Sequence, residues 1–138
     1  MSSIKELSKE YSYEALKKGN GSVMLLSKGI SNNDGLDIIS IEGDSKELIG
    51  VKAITEKEDL IISDIELRTM DECSEREKTY YIIHRYIFSD NKVTSFNMYK
   101  YDRKNKVLID MIDNSNVLSI NKKAKTKKYV CVPQKKID

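Results

Sequence analysis

The sequence predicts an α+β protein, mainly antiparallel β: one N-terminal amphipathic helix followed by a curled meander sheet of about eight or nine strands, a partly closed barrel or sandwich. Three observations carry that expectation. A capped segment of helical periodicity opens the chain, the hydrophobic period then drops from near 3.6 to near 2 and stays there, and turn-forming clusters separate the β-rich runs. No second helical pattern interrupts the runs, so parallel pairings, which need a helical crossover, are not expected.

The helix spans residues 4–18. Ser3 followed by Glu6 is a capping box, in which each side chain can satisfy a free backbone N–H of the first turn. Ile4, Leu7, Tyr11 and Ala15 recur at spacings of three and four and predict one buried stripe, with Leu16 beside it. Lys17 and Lys18 lie where the helix dipole favours cations, and Gly19 suits a left-handed stop.

Strands are expected at 22–28, 36–42, 48–54, 60–69, 79–89, 92–102, 106–113, 117–120 and 128–132. Their separators (SNNDG, EGDSK, TEKED, MDECSERE, SDNK, DRKNK and DNSN) carry turn chemistry. MDECSERE lacks strand formers and has room for a short helical turn.

Residues 78–104 hold seven of the ten aromatic residues and the single histidine. A turn through SDNK with Phe88 opposite Val93 sets Tyr80 opposite Tyr101, Ile82 opposite Tyr99, His84 opposite Asn97 and Tyr86 opposite Ser95. A second turn through DRKNK, with Asn105 left-handed, sets Tyr101 opposite Val107 and Tyr99 opposite Ile109. One face then carries Tyr80, Ile82, His84, Tyr86, Phe88, Tyr99, Tyr101, Ile109 and Met111. Such a face is a core wall, the lining of a ligand cavity or, if open, a stacking platform.

The 138 residues, 39% hydrophobic and 33% charged, suit a single globular domain over residues 1–138. No run is long enough for a membrane span, and the first 19 residues are too charged for a signal peptide. A cytoplasmic protein is expected as written, or a secreted or anchored one if a leader has been trimmed. Cys73 and Cys131 lie far apart without zinc spacing, which predicts two reduced thiols, with one long-range disulfide as the alternative.

Chemistry is sparse in this reading. His84, alone and mid-strand, reads as a structural histidine. Asp64 and Glu66 share an expected strand face and Asp110 and Asp113 sit on a later strand, yet Glu66-Leu67-Arg68 lacks the lysine of a nuclease-like Glu-x-Lys. KKGNGS follows a helix where a phosphate loop must precede one, and SNNDGLDIISIE fails the calcium-loop pattern at its first position. No catalytic residue, metal or cofactor is therefore assigned.

Charge is uneven. Seven of the 24 basic residues and one of the 22 acidic ones fall in the basic C-terminal segment 121–138, leaving 17 bases against 21 acids in the rest. These features predict a non-enzymatic binding module acting through protein–protein contacts, at Asp71, Glu72 and Glu75 and at Lys122, Lys123, Lys125, Lys127 and Lys128. Self-association through a sheet edge is its simplest form. The alternatives are a carrier of a small apolar ligand and a nucleic-acid binder using the Lys-rich end and the aromatic hairpin. The acidic body disfavours nucleic acid or anionic lipid as the partner.

Overall fold

A computed structural model describes residues 3–19, 21–26 and 35–134. The end of the first expected strand at 27–28, residues 31–34 of the calcium-loop reading, and Lys135 and Lys136 lie outside the described residues. In chain order the elements are α1 (Ile4–Lys17), β1 (Ser22–Leu25), β2 (Ile38–Glu42), β3 (Ser45–Thr55), β4 (Leu60–Ser63), α2 (Asp64–Ser74), β5 (Thr79–Ser89), β6 (Lys92–Asp102), β7 (Val107–Asp110), β8 (Val117–Lys122) and β9 (Lys128–Pro133).

Helix α1 begins where expected, with the Ser3 hydroxyl accepting from the Glu6 N–H at 3.2 Å. Its buried line is not the expected one. Ile4, Tyr13 and Leu16 pack on the sheet and Ser8 and Ser12 are buried, whereas Tyr11 is 46% exposed. Residues 4, 8, 12 and 16 share this inner line. Serine fits there because it is small and its hydroxyl finds partners: Ser8 donates to the Ile4 carbonyl at 2.8 Å, and Ser12 Oγ bonds His84 Nδ1 at 2.8 Å and the Tyr86 hydroxyl at 2.7 Å. Gly19 does not take the left-handed stop; among the described glycines only Gly35 and Gly43 have positive φ.

The nine strands form one mixed sheet in the order β1-β2-β3-β5-β6-β7-β8-β9-β4. All pairings are antiparallel except β3 with β5, which run parallel because β4 and α2 carry the chain across. The sheet is mainly antiparallel as expected, and the expectation that it holds no parallel pairing is corrected there. Strand β4 follows β3 in the chain but pairs with β9, so the sheet curls. It does not close, since β1 and β4 remain its edges.

The crossover helix replaces the second part of the expected strand 60–69 and runs on into MDECSERE, where the sequence leaves room for a short helical turn. Ser63 accepts from the Glu66 N–H at 3.1 Å and Glu66 Oε1 accepts from the Ser63 N–H at 3.4 Å, a complete capping box. Leu67, Met70 and Cys73 then turn one face to the sheet.

The aromatic hairpin turns as expected: Asp90 and Asn91 are left-handed (φ 51° and 64°) and Phe88 lies opposite Val93. A β-bulge at Ile87/Phe88 then shifts the register by one, setting Tyr86 opposite Phe96, His84 opposite Met98 and Ile82 opposite Lys100. A slip of one residue moves every later side chain of β6 to the other face. At the next turn Lys106 rather than Asn105 is left-handed, and Tyr101 and Tyr99 pair with Leu108 and Asp110.

The single tyrosine face therefore does not form. Ile82, Tyr86 and Phe88 join Ile38, Ile49 and Val51 in a core beneath α1. Tyr99 and Tyr101 join Tyr81, Ile83, Leu108 and Met70 in a second core beneath α2, to which Leu60, Leu118 and Cys131 also belong. Burial on both faces explains the unbroken apolar stretches Leu48–Val51 in β3 and Tyr81–Ile83 in β5.

Candidate functional site

Alternation along β3 sets Leu48, Gly50 and Lys52 on the α2 side, in register with Tyr81, Ile83 and Arg85 of β5. The apolar wall of the second core thus ends in two cations. Asp37, just before β2, is fixed against the same stretch of β3. Its N–H donates to the Ile49 carbonyl at 2.9 Å, its Oδ2 accepts from the Val51 N–H at 2.7 Å, and its Oδ1 pairs with Lys9 Nζ of α1 at 3.0 Å. Glu66 comes from α2. One of its oxygens completes the capping box, and the other pairs with Lys52 Nζ.

Asp37, Lys52 and Glu66 have side chains only 10%, 18% and 15% exposed, so their charges act with little screening from water. Two glycines make the room. A Cβ on Gly50 would overlap the Tyr81 hydroxyl and stand 2.5 Å from the Gly35 carbonyl oxygen. Gly35 itself has φ +80°, and its carbonyl accepts from the Tyr81 hydroxyl. The result is a cleft of about 320 Å³ lined by Lys5, Gly35, Asp37, Gly50, Val51, Lys52, Ser63, Ile65 and Glu66.

The Lys-rich segment lies beside this cleft. Lys122 ends β8, Lys128 opens β9, and Lys123, Lys125 and Lys127 occupy the turn between them; all five are exposed. The β4–β9 pairing sets Ser63 opposite Lys128, and the Asp64 N–H donates to the Lys127 carbonyl at 2.9 Å. The acidic group sits elsewhere. Asp71 and Glu72 belong to α2 and Glu75 caps its end. Asp71 accepts from the Tyr101 hydroxyl at 2.5 Å and from Lys106 at 2.7 Å, and Glu75 pairs with Arg103 at 2.7 Å, ties that hold α2 to the β6–β7 hairpin.

The remaining residues singled out from the sequence disperse. His84 is buried, meets the edge of Phe96 at 5.4 Å between ring centroids, and is pushed down to about 4 by burial, so it is neutral at physiological pH. Tyr80, Tyr101 and Ile109 line a cleft of about 450 Å³ at the C-terminal end of α2 together with Arg76, Lys78, Lys100 and Arg103. Lys100 Nζ lies 4.1 Å from the centre of the Tyr80 ring. Met111 is exposed beside a smaller hollow. Cys73 and Cys131 are both thiols, not joined in a disulfide, and are buried in the second core.

Sequence reasoning missed Asp37 and Lys52. The signal was present: each is a charge set inside an apolar run, LDII and IGVKAI. A lysine sought two positions after Glu66 comes instead from β3, and the position two before that lysine is Gly50. Among the described residues no group of three or more His, Cys, Asp or Glu side chains is placed to hold a metal ion. No described helix is long and apolar enough to cross a membrane.

No family model matches the sequence, and no curated protein matches it significantly. The fold is similar to that of Hjc from Archaeoglobus fulgidus, a Holliday junction resolvase from an archaeal hyperthermophile, with a TM-score of 0.57 over 93% of this chain and 83% of that one at 10% identity. This likeness overturns the expectation of a non-enzymatic module acting through protein contacts, which rested on the lack of a recognisable catalytic motif. The apolar-ligand carrier goes too, because the face meant to line its cavity divides between two filled cores.

Proposed function

We propose that this chain processes nucleic acid, hydrolysing phosphodiester bonds at the cleft of Asp37, Lys52 and Glu66. The observation that carries the reading is the convergence of two largely buried carboxylates and a lysine, from the residue before β2, from α2 and from β3, beside five exposed lysines at 122–128. The likeness to a Holliday junction resolvase supports it, since resolving such a DNA junction means cutting its phosphodiester backbone.

The residues suit the task. Asp37 and Glu66 are hard oxygen donors, and Mg²⁺ takes one or two carboxylates from a protein and completes its shell with water and substrate phosphate. Asp37 and Glu66 are the residues that would hold it, and the chemistry it would supply there is Lewis-acid polarisation of the phosphate and a lowered pKa of a bound water. Lys52 is placed to neutralise charge that grows on the phosphoryl oxygens as the bond is cut. Its present partner is Glu66, so entry of substrate exchanges one anionic partner for another. The lysines at 122–128 would hold the backbone by charge alone, which makes binding salt-sensitive and indifferent to sequence.

The test is cleavage of a labelled four-way DNA junction and of its linear duplex arms with Mg²⁺ or Mn²⁺. Cleavage by the wild type and its loss in Asp37→Asn and Lys52→Met are expected. Cleavage that persists in Asp37→Asn, or a wild type inert with both cations, would overturn the hydrolytic reading. Reversal of Lys122, Lys123 and Lys125 to Glu should weaken junction binding and flatten its salt dependence by about 0.9 in log–log slope for each phosphate no longer neutralised.

A further inference from the structure

A polar line crosses the sheet on the α2 side, from Lys52 on β3 through Arg85 on β5 and Asn97 on β6 to Asp110 at the end of β7. Lys52 and Arg85 are register partners on adjacent parallel strands, so their backbones run about 4.8 Å apart. At the far end Asp110 is fully used. Its Oδ1 accepts from the Ile112 and Asp113 N–H groups and its Oδ2 from the Asn97 and Asn116 amides. Burial raises its pKa, but these four donors hold it below the ordinary carboxylate range.

Arg85 is the unfinished member of this line. Its Nη2 donates to Asn97 Oδ1 at 2.6 Å, and its guanidinium lies 5.1 Å from the centre of the Tyr99 ring. Asn97 therefore separates it from Asp110, and no described carboxylate pairs with it. Its Nε–H is buried without an acceptor. A charged donor buried without a partner is costly, and folded proteins retain few of them. Arg85 stands beside Lys52 as its register partner, and Lys52 with Glu66 lines the 320 Å³ cleft.

We propose that Arg85 and Lys52 form an anion subsite, with Arg85 positioning a non-bridging oxygen of the substrate phosphodiester for the chemistry at Asp37 and Glu66. The inference rests on the nucleic-acid reading above and names the group that orients its substrate. A guanidinium has the planar donor geometry that phosphate accepts, and a lysine in its place keeps the charge but loses that fork.

The experiment follows the Arg85 Nε–H cross-peak of the ¹⁵N-labelled wild type, assigned by its absence in Arg85→Lys, while inorganic phosphate is added. In parallel, binding of a fluorescent four-way junction to wild type and Arg85→Lys is read by anisotropy, with near-UV circular dichroism confirming that the variant is folded. The expected results are a saturable shift of the peak and junction binding about tenfold weaker in Arg85→Lys, the worth of one charge-assisted hydrogen bond. A peak that does not move overturns the proposal, and this arm needs no variant. A peak that moves while Arg85→Lys binds the junction within twofold of wild type means an adventitious ion only, and also overturns it. Saturable phosphate binding and the tenfold loss, in a wild type that cleaves nothing, support the subsite and overturn the hydrolytic reading alone.

Discussion

The two ends of α2 carry the same ingredients and differ in what surrounds them. At the N-terminal end, Glu66 pairs with Lys52 between side chains less than one-fifth exposed. At the C-terminal end, Glu75 pairs with Arg103 between side chains 56% and 47% exposed, beside the larger, 450 Å³ cleft. Size points to the second end and electrostatics to the first. An ion pair in water is worth little, because solvent screens it and two long side chains lose freedom to form it. The same pair removed from water is held by its partner alone, so either charge is ready to engage a substrate charge that enters. The hydrolysis proposed above is assigned to the N-terminal cleft for that reason.

The largest expected effect breaks the buried pair. Lys52→Met leaves Glu66 without its cation, and Glu66→Gln leaves Lys52 without its anion while Gln still serves the capping box. Each should lose about 3 kcal/mol of stability in urea unfolding, the usual cost of stranding one charge of a buried pair. The double variant Lys52→Met/Glu66→Gln should recover most of that loss and none of the cleavage activity. If the double variant is no more stable than the worse single one, the two charges are not coupled and the distinction between the ends of α2 fails.

His84 sharpens the comparison, because it neighbours Arg85 on β5 but faces α1, where polarity is buried without ion pairing. Ser12 holds its ring, and burial lowers its pKa from 6.5 to about 4. Between those values the unfolded chain takes up a proton that the folded chain refuses, so stability falls as pH drops from about 6.5 to 4, by up to about 3 kcal/mol. Subtracting the profile of His84→Gln isolates this contribution from carboxylates that titrate below it. Parallel urea midpoints for the two proteins from pH 7 to 4.5 would show that the imidazole is not held neutral.

The helices also show what the sequence discloses. Ser3-x-x-Glu6 and Ser63-x-x-Glu66 are the same capping signal, yet only the first stands ahead of apolar residues that recur at helical spacing. The second lies in LIISDIELRT, where Ile and Leu alternate as in a strand, and the cap decides the structure against that alternation. Missing α2 removes the crossover, hence the parallel β3–β5 pair, hence the meeting of Lys52 with Glu66. The nine strands themselves were legible from turn chemistry, because Gly, Asn and Asp mark chain reversals whatever the sheet's topology. The bulge at Ile87/Phe88 had no such mark, and it alone moves Tyr99 and Tyr101 from one core to the other. Gly50 carried a readable signal, since a glycine inside a strand marks a close approach of backbone, here that of Gly35.

The smallest effect belongs to the exposed end. Arg103→Ala removes the partner of Glu75 and a longer, 3.9 Å approach to Asp71, which keeps Lys106 at 2.7 Å and the Tyr101 hydroxyl at 2.5 Å. With both members of the Arg103–Glu75 pair near half exposure, the change should cost less than about 0.5 kcal/mol and vanish at 1 M salt, where the Debye length is about 3 Å. Lys52→Met should keep most of its deficit in the same salt, because a largely buried pair is screened much less than an exposed one. A loss above about 1.5 kcal/mol in Arg103→Ala, or a Lys52→Met deficit that salt erases, would mean that burial does not separate the two ends, and the choice of the smaller cleft as the reactive one would lose its physical ground.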